Sequence, residues 1–120
     1  MCNQEQALLI LGEVFDSCNQ AFDKQVNDAY LYGSYARGDY HEDSDIDILL
    51  TVDAAPVDLP MYRKQLAHIC SELSLRHDIM VSATVKPLAE FHRYASVLPF
   101  YKNVLREGVR YAPISMSTTL

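Results

Sequence analysis

The chain has 120 residues, which is enough for one domain with a real hydrophobic core and too few for two. Its formal net charge of −6 argues against the basic surface of a nucleic-acid-binding protein, so we expect no direct contact with nucleic acid. No apolar run reaches the ~18 residues of a membrane span. With no signal peptide and three well-separated cysteines (Cys2, Cys18, Cys70), the sequence predicts a cytoplasmic protein with reduced thiols.

The first predicted element is a helix over residues 3–22. Its apolar residues recur at three- and four-residue steps and form one stripe: Leu8, Leu11, Phe15, Cys18 and Phe22. Asn3 and Gln6 form a candidate capping pair at its start. Residues 25–28 are predicted to be a polar connection, and residues 29–32 a first strand.

The first strand runs into a turn with the sequence Gly-Ser-Tyr-Ala-Arg-Gly, residues 33–38. Glycine lets a backbone come close to a bulky ligand without steric cost, which suits Gly33 at the end of the strand. Ser34 begins a short helical turn, whose unpartnered N–H groups would point at an incoming anion. Arg37 either neutralises phosphate charge or pairs with Asp39 or Asp43; the sequence favours neither.

A charged loop, predicted to be solvated, leads from this turn to a second strand over residues 45–52. Because side chains on a strand alternate between faces, Asp45 and Asp47 project from the same side, about 7 Å apart. Neighbouring carboxylates repel each other and stay ionised only beside a cation. Oxygen ligands suit Mg²⁺ or Mn²⁺. An anion-binding turn beside metal-binding carboxylates suits a nucleoside triphosphate, whose phosphates Mg²⁺ bridges.

The second half of the chain adds a third strand, predicted over residues 77–85. Asp78 begins this strand, and we expect it to lie beside Asp45 and Asp47 at the same end of the sheet. Phe91, Val104 and Leu105 are expected to pack against the sheet. The other predicted elements are helices over residues 60–75, 87–94 and 99–107, and a loose tail over residues 114–120 that follows a domain of residues 1–113.

In this sequence, Gly33-Ser34 is followed after ten residues by Asp45-x-Asp47. This spacing resembles the signature of the DNA-polymerase-beta-type nucleotidyltransferase superfamily. Its flanking residues, and the ending over residues 105–111, are similar to the minimal nucleotidyltransferase (MNT) group. This resemblance, which covers most of the chain, implies an α/β (α+β) fold with a small mixed β-sheet of the palm type flanked by helices. It also implies catalytic, metal-binding roles for Asp45, Asp47 and Asp78, which would hold two Mg²⁺ ions. ATP would be held with Gly33, Ser34 and Arg37.

MNT proteins of this kind are antitoxins encoded beside a HEPN-type RNase toxin, and they attach AMP to a tyrosine of that toxin. The resemblance therefore implies a Mg-dependent protein adenylyltransferase that works in a hetero-oligomer with a HEPN-type toxin. Larger members of the superfamily carry additional domains for the acceptor, and this sequence ends after the palm-like core, so we expect the acceptor to come from another protein. Two alternatives stay open: a small-molecule transferase, for instance for an aminoglycoside, that needs a second subunit, and an antitoxin that acts by binding alone.

Overall fold

A computed structural model describes residues 2–111 of the chain. The elements of this part are α1 (Gln4–Ala21), β1 (Val26–Tyr32), α2 (Ser34–Arg37), β2 (Ile46–Val52), α3 (Leu59–His77), β3 (Val81–Pro87), α4 (Leu88–Tyr94), α5 (Pro99–Glu107) and β4 (Val109–Arg110). None of the described helices has the length and apolar character needed to cross a membrane. The predicted tail over residues 114–120 lies outside the described residues.

The four strands form one mixed sheet in the order β3-β2-β1-β4. β1 pairs antiparallel with β2 and with β4, and β2 pairs parallel with β3. The register aligns Tyr32 of β1, Asp47 of β2 and Ser82 of β3, so these three side chains lie on the same face of the sheet. The predicted mixed sheet flanked by helices is confirmed.

One face of the sheet forms the main core with α1 and α3. The β2 residues Ile46, Ile48 and Leu50, predicted to face a core, are fully buried there. On α1, however, the buried face is centred on Ala7, Ile10, Leu11, Val14 and Cys18. Leu8, placed on the buried stripe by the sequence, is 40% exposed. That part of the prediction is wrong, because steps of three and four residues fit more than one face of a helix.

The opposite face is only half covered. α4 and α5 pack on it through a smaller cluster of buried residues: Tyr30, Leu49, Phe91, Tyr101 and Val104. This confirms that Phe91 and Val104 pack against the sheet, whereas Leu105 is 49% exposed and the prediction for it is wrong. Beyond the cluster, Tyr32 and Asp47 are only partly buried and Ser82 is exposed.

The strands differ from the prediction at several points. β1 begins at Val26 rather than at residue 29, because Val26 pairs with Val52 at the far end of β2. β3 begins at Val81 rather than at residue 77, because α3 continues to His77 and Asp78 then ends the helix in a left-handed conformation (φ 53°, ψ 45°). The short strand β4 was not predicted, since its only signal is pairing with the distant β1.

Candidate active site

Gly33 joins β1 to α2 in a conformation that other residues avoid. Its φ of 77° and ψ of −157° fall in a region that is essentially restricted to glycine. A Cβ atom on this residue would also lie 2.5 Å from Oδ2 of Asp47. The end of β1 therefore packs directly against a predicted site carboxylate, for which only glycine leaves room.

The turn that follows has free amides at its start. The N–H groups of Ala36 and Arg37 both donate to the carbonyl oxygen of Gly33, at 3.1 Å each, so those of Ser34 and Tyr35 take no part in the turn's own hydrogen bonds. Gln4 of α1 donates from Nε2 to the Tyr35 carbonyl oxygen at 2.9 Å. That bond fixes the turn to the first helix, next to the acidic pair.

Asp45 directly precedes β2, which begins at Ile46 rather than at the predicted residue 45, and Asp47 is the second residue of the strand. Asp47 is on the open half of the sheet face, opposite Tyr32 and Ser82. Burial and the neighbouring Asp45 carboxylate raise the pKa of Asp47, and Arg37 opposes that shift. The two carboxylates are thus close enough to repel each other, which is the arrangement that a divalent cation would relieve.

Within residues 2–111, no three side chains of His, Cys, Asp or Glu come together in a way that could hold a metal ion. Mg²⁺ usually keeps several waters and binds through one or two carboxylates together with phosphate oxygens. Asp45 and Asp47 fit an ion of that kind, which would arrive with a triphosphate. They do not form a cage made by the protein alone.

Arg37 pairs with two carboxylates. Its Nε lies 3.2 Å from Oδ2 of Asp39, and its Nη1 lies 3.6 Å from Oε2 of Glu107. Asp39 is one of the partners proposed from the sequence; Glu107, at the end of α5, was missed because only the fold brings it near. Such exposed pairs cost little to break, so the guanidinium remains able to exchange a carboxylate for a phosphate.

Asp78 occupies the turn between α3 and β3. Its backbone is held by Ser74, whose carbonyl oxygen accepts from Ile79 N at 3.2 Å and whose Oγ accepts from Val81 N at 2.9 Å. Since β2 and β3 are parallel, Asp78 lies at the same end of the sheet as Asp45. Asp78 does not begin the strand, however, and the β3 residue opposite Asp47 is Ser82.

Asp45 and Asp78 line one cleft of about 440 Å³, together with Cys2, Tyr35, Glu42, Asp43, Ser44, Ile79 and Met80. The loop on one side of this cleft is more ordered than its charge suggested. His41 N donates to Ser44 Oγ at 2.9 Å, and Asp43 N donates to His41 Nδ1 at 3.2 Å. In the sequence, the only indication of this turn is that His41 and Ser44 are three residues apart.

A larger groove between α1 and β4, of about 640 Å³, contains none of the predicted site residues.

Aromatic residues border the other side of the site. Tyr32 lies edge-on to Phe100 of α5, with ring centroids 5.3 Å apart. Burial and the adjacent Asp47 carboxylate raise the pKa of the Tyr32 hydroxyl. Tyr32 was not among the predicted site residues, because its proximity to Asp47 follows from the register of β1 on β2.

A mixed sheet that carries paired aspartates beside a glycine–serine turn defines a nucleotidyltransferase palm. The family described as "Nucleotidyltransferase domain" matches residues 11–111, and the chain belongs to this family.

Two related proteins match this chain, one over most of its length and one over about half. A protein of Methanocaldococcus jannaschii named "Putative protein adenylyltransferase" is 33% identical over 106 residues, which are 88% of this chain and 95% of that relative. A second protein of that organism, with the same descriptive name, is 42% identical over 55 residues, which are 46% of this chain and 54% of the relative.

Two solved structures share the fold. A crystal structure of a "putative nucleotidyltransferase" from Sulfolobus solfataricus matches with a TM-score of 0.62 and 23% identity, covering 90% of this chain and 81% of that one. A crystal structure of a toxin–antitoxin with AMP-PNP matches with a TM-score of 0.54 and 17% identity, covering 86% of this chain and 74% of that one. At these identities the likeness concerns the fold alone.

Proposed function

We propose that this nucleotidyltransferase transfers AMP from ATP to a hydroxyl group of a partner protein. The relative that is 33% identical over 95% of its own length is named as a protein adenylyltransferase, which supports a protein acceptor. The toxin–antitoxin protein of similar fold was crystallised with AMP-PNP, an analogue of ATP. Together with the resemblance to the MNT group, these likenesses favour an antitoxin that modifies a tyrosine of a HEPN-type RNase toxin.

In this proposal the chain mainly positions its substrates. The free amides at the start of α2 would donate hydrogen bonds to the terminal phosphates of ATP next to Gly33, and Arg37 would leave Asp39 or Glu107 to neutralise phosphate charge. Asp45 and Asp47 would hold Mg²⁺, which offsets charge on the triphosphate and on the pyrophosphate leaving group. The predicted second ion, and Asp78 as a further ligand, belong to the same proposal.

The transfer itself exchanges one oxygen–phosphorus bond for another. The acceptor oxygen forms a bond to the α-phosphorus of ATP, the bond from that phosphorus to pyrophosphate breaks, and the hydroxyl proton passes to a base or to water. An open sheet face beside Asp47 leaves room for an acceptor from another protein. The chain needs no covalent step of its own, since holding the reactants in line accounts for most of the catalysis.

One observation carries the proposal: the glycine–serine turn, with its free amides, packs directly against the Asp47 carboxylate, and Asp45 is a neighbouring charge that raises the pKa of Asp47. A protein that needed neither a cation nor a nucleotide would gain stability from a neutral residue at this position. The Gly33 backbone packs against the same carboxylate and keeps it in place.

The test is to incubate the chain with α-labelled ATP, Mg²⁺ and the product of the neighbouring gene, and to follow label and mass on that product. We expect one or more AMP groups on a tyrosine. Asp47→Asn should abolish the label, and Asp53→Asn, at the opposite end of β2, should not. Absence of label on any protein, with wild-type chain that still neutralises the toxin, would refute the enzyme and favour neutralisation by binding. Label on an added aminoglycoside instead would favour the small-molecule transferase.

A further inference from the structure

Two aromatic rings that the proposed transfer does not use meet at the open half of the sheet face. The ring centroids of Tyr32 on β1 and Phe100 on α5 are 5.3 Å apart, and the ring planes are inclined by 82°. Tyr32 is partly buried, and Phe100 is 40% exposed. We call this pair the aromatic corner, because two rings at nearly a right angle leave a recess between their faces.

The buried cluster under α4 and α5 fixes one side of the corner. The centroid of Tyr101 lies 5.5 Å from that of Phe100, and the centroid of Phe91 lies 5.2 Å from that of Tyr101. Both of these supporting rings are buried, and the Tyr101 hydroxyl donates to Oε2 of Glu90. Phe100 is therefore held at the edge of a packed cluster while part of its ring stays in contact with water.

Tyr32 forms the other side of the corner and lies across the sheet. Its hydroxyl is close to the side chain of Thr84 on β3, although Tyr32 itself belongs to β1. Since β2 separates these two strands, the ring passes over β2. Tyr32 is aligned with Asp47, and Thr84 is aligned with Leu49, so the ring crosses β2 between the acidic residue and the buried one.

The corner is adjacent to the turn that would hold the phosphates. Tyr32 directly precedes Gly33 in the chain and is the partner of Asp47 across the sheet. A triphosphate bound at the turn, with its metal ion at Asp47, would therefore have these rings beside it. Every nucleobase has a planar π-face, and stacking on an aromatic side chain is worth about 1–3 kcal/mol per base.

We propose that the aromatic corner binds the base of the nucleotide, which stacks on one ring and meets the other edge-on. This inference rests on the nucleotide binding of the proposed function and extends it to the nucleoside, but it does not require AMP transfer. Because stacking hardly distinguishes one base from another, the corner by itself should accept ATP and GTP alike. Tyr32 and Phe100 would thus add affinity for a nucleoside rather than choose its base.

The location of the base is tested with a fluorescent reporter. The chain contains no tryptophan, so Phe100→Trp introduces a single indole into the corner. The full chain is titrated in the presence of Mg²⁺ with AMP-PNP and, separately, with tripolyphosphate, which has the phosphates without the nucleoside. We expect AMP-PNP to quench the indole emission and tripolyphosphate to leave it unchanged. Met61→Trp, at a 56% exposed position of α3 on the other side of the sheet, is the control and should respond to neither.

The contribution of the rings is measured by calorimetric titration with the same two ligands. Phe100→Leu keeps an apolar side chain but removes the π-face, so it should weaken binding of AMP-PNP about five- to 100-fold and leave binding of tripolyphosphate unchanged. Tyr32→Leu should act in the same direction, whereas Tyr32→Phe, which keeps the ring, should retain most of the affinity. In the transfer reaction, Phe100→Leu should raise KM for ATP and not KM for the acceptor protein.

Three results would overturn the proposal. The first is indole emission that does not change although calorimetry shows that AMP-PNP binds. The second is an equal loss of AMP-PNP and tripolyphosphate binding in Phe100→Leu, since the ring would then only support the turn. The third is a raised KM for the acceptor with unchanged AMP-PNP affinity, which would assign the corner to the acceptor. Quenching by AMP-PNP without AMP transfer to any protein would instead refute the enzymatic proposal alone.

Discussion

Substitution of Gly33 by alanine should separate the cost of a strained backbone from the cost of displacing the Asp47 carboxylate. Two glycines of the same turn have positive φ, Gly33 at 77° and Gly38 at 88°. A Cβ at Gly38 meets only Gln4 Nε2, at 4.0 Å, whereas a Cβ at Gly33 would lie 2.5 Å from Oδ2 of Asp47. Gly38→Ala is therefore a matched control that has the strain without the collision.

The magnitudes follow from these two geometries. Placing alanine in a left-handed backbone conformation costs about 1–2 kcal/mol, which is the whole effect expected for Gly38→Ala. Gly33 lies in a more restricted region, with a cost of about 1–3 kcal/mol, and relief of the overlap with Asp47 adds to it. We expect a total loss of about 2–4 kcal/mol for Gly33→Ala. Since a displaced carboxylate no longer faces the phosphates, nucleotidyl transfer should fall by about 100-fold or more.

The decisive assay is a double-mutant cycle in urea-induced unfolding, combining Gly33→Ala with Asp47→Ala. Removing the carboxylate removes the collision, so Gly33→Ala should cost at least about 0.5–1 kcal/mol less in the Asp47→Ala background. Gly38→Ala should cost the same in both backgrounds and should retain most activity. If Gly33→Ala is equally destabilising with and without the Asp47 carboxylate, the contact between them does not shape the site, and the reasoning is wrong.

Three further measurements test other parts of the structure. Asp47→Asn should raise the Tm of the metal-free protein at neutral pH, because burial and Asp45 raise the pKa of Asp47 from 3.8 and so make its ionised form unfavourable in the folded state. As that penalty appears only when Asp47 ionises, the gain should shrink as the pH falls towards 3.8; a gain that does not change with pH would contradict this account. Asn3→Ala should cost about 1 kcal/mol in urea unfolding, since Asn3 Oδ1 accepts from Gln6 N at 2.8 Å, and Asn3→Asp should restore most of it. Phe22→Ala should cost about 3–5 kcal/mol by the same assay, because this buried ring stacks on Tyr62 at 4.3 Å; a loss no larger than that of the exposed Met61→Ala would show that the core is not packed as described.

The sequence was most informative where the controlling interaction is local. The capping pair at Asn3 involves residues three apart, and its hydrogen bond is present. Alternation along β2 correctly separated Asp47 from the buried residues Ile46 and Ile48. Both features depend on chain geometry over fewer than about four residues. Gly33 was singled out because glycine lets a ligand approach the backbone, whereas its positive φ and its contact with Asp47 were not predicted.

Several errors concern interactions that span more than four residues along the chain. Residues 77–80 have β-prone neighbours, yet Ser74 captures the amides of Ile79 and Val81 and extends the turn at the end of α3. Neither hydrogen bond produces a repeating pattern of apolar residues from which it could be predicted. Arg37 pairs with Glu107 because α5 packs on the sheet, and Tyr32 lies opposite Asp47 because of the register of β1 on β2. Neither arrangement can be inferred from a short stretch of sequence. The third carboxylate was thus placed at the right end of the sheet and on the wrong element.

The incomplete cover of the sheet and the position of the acidic pair have one physical cause. Leu49 and Asp47 are successive residues on the same face of β2, and α4 and α5 cover the first and not the second. Extending that cover over Asp47 would remove a carboxylate from water beside a second carboxylate, which is unfavourable unless a cation accompanies it. The boundary between the buried and open halves of the face therefore falls where the chain changes from leucine to aspartate. In the proposed function, a nucleotide with its metal would close this gap because it brings the missing charge, and an acceptor protein would approach from the side that the helices leave open.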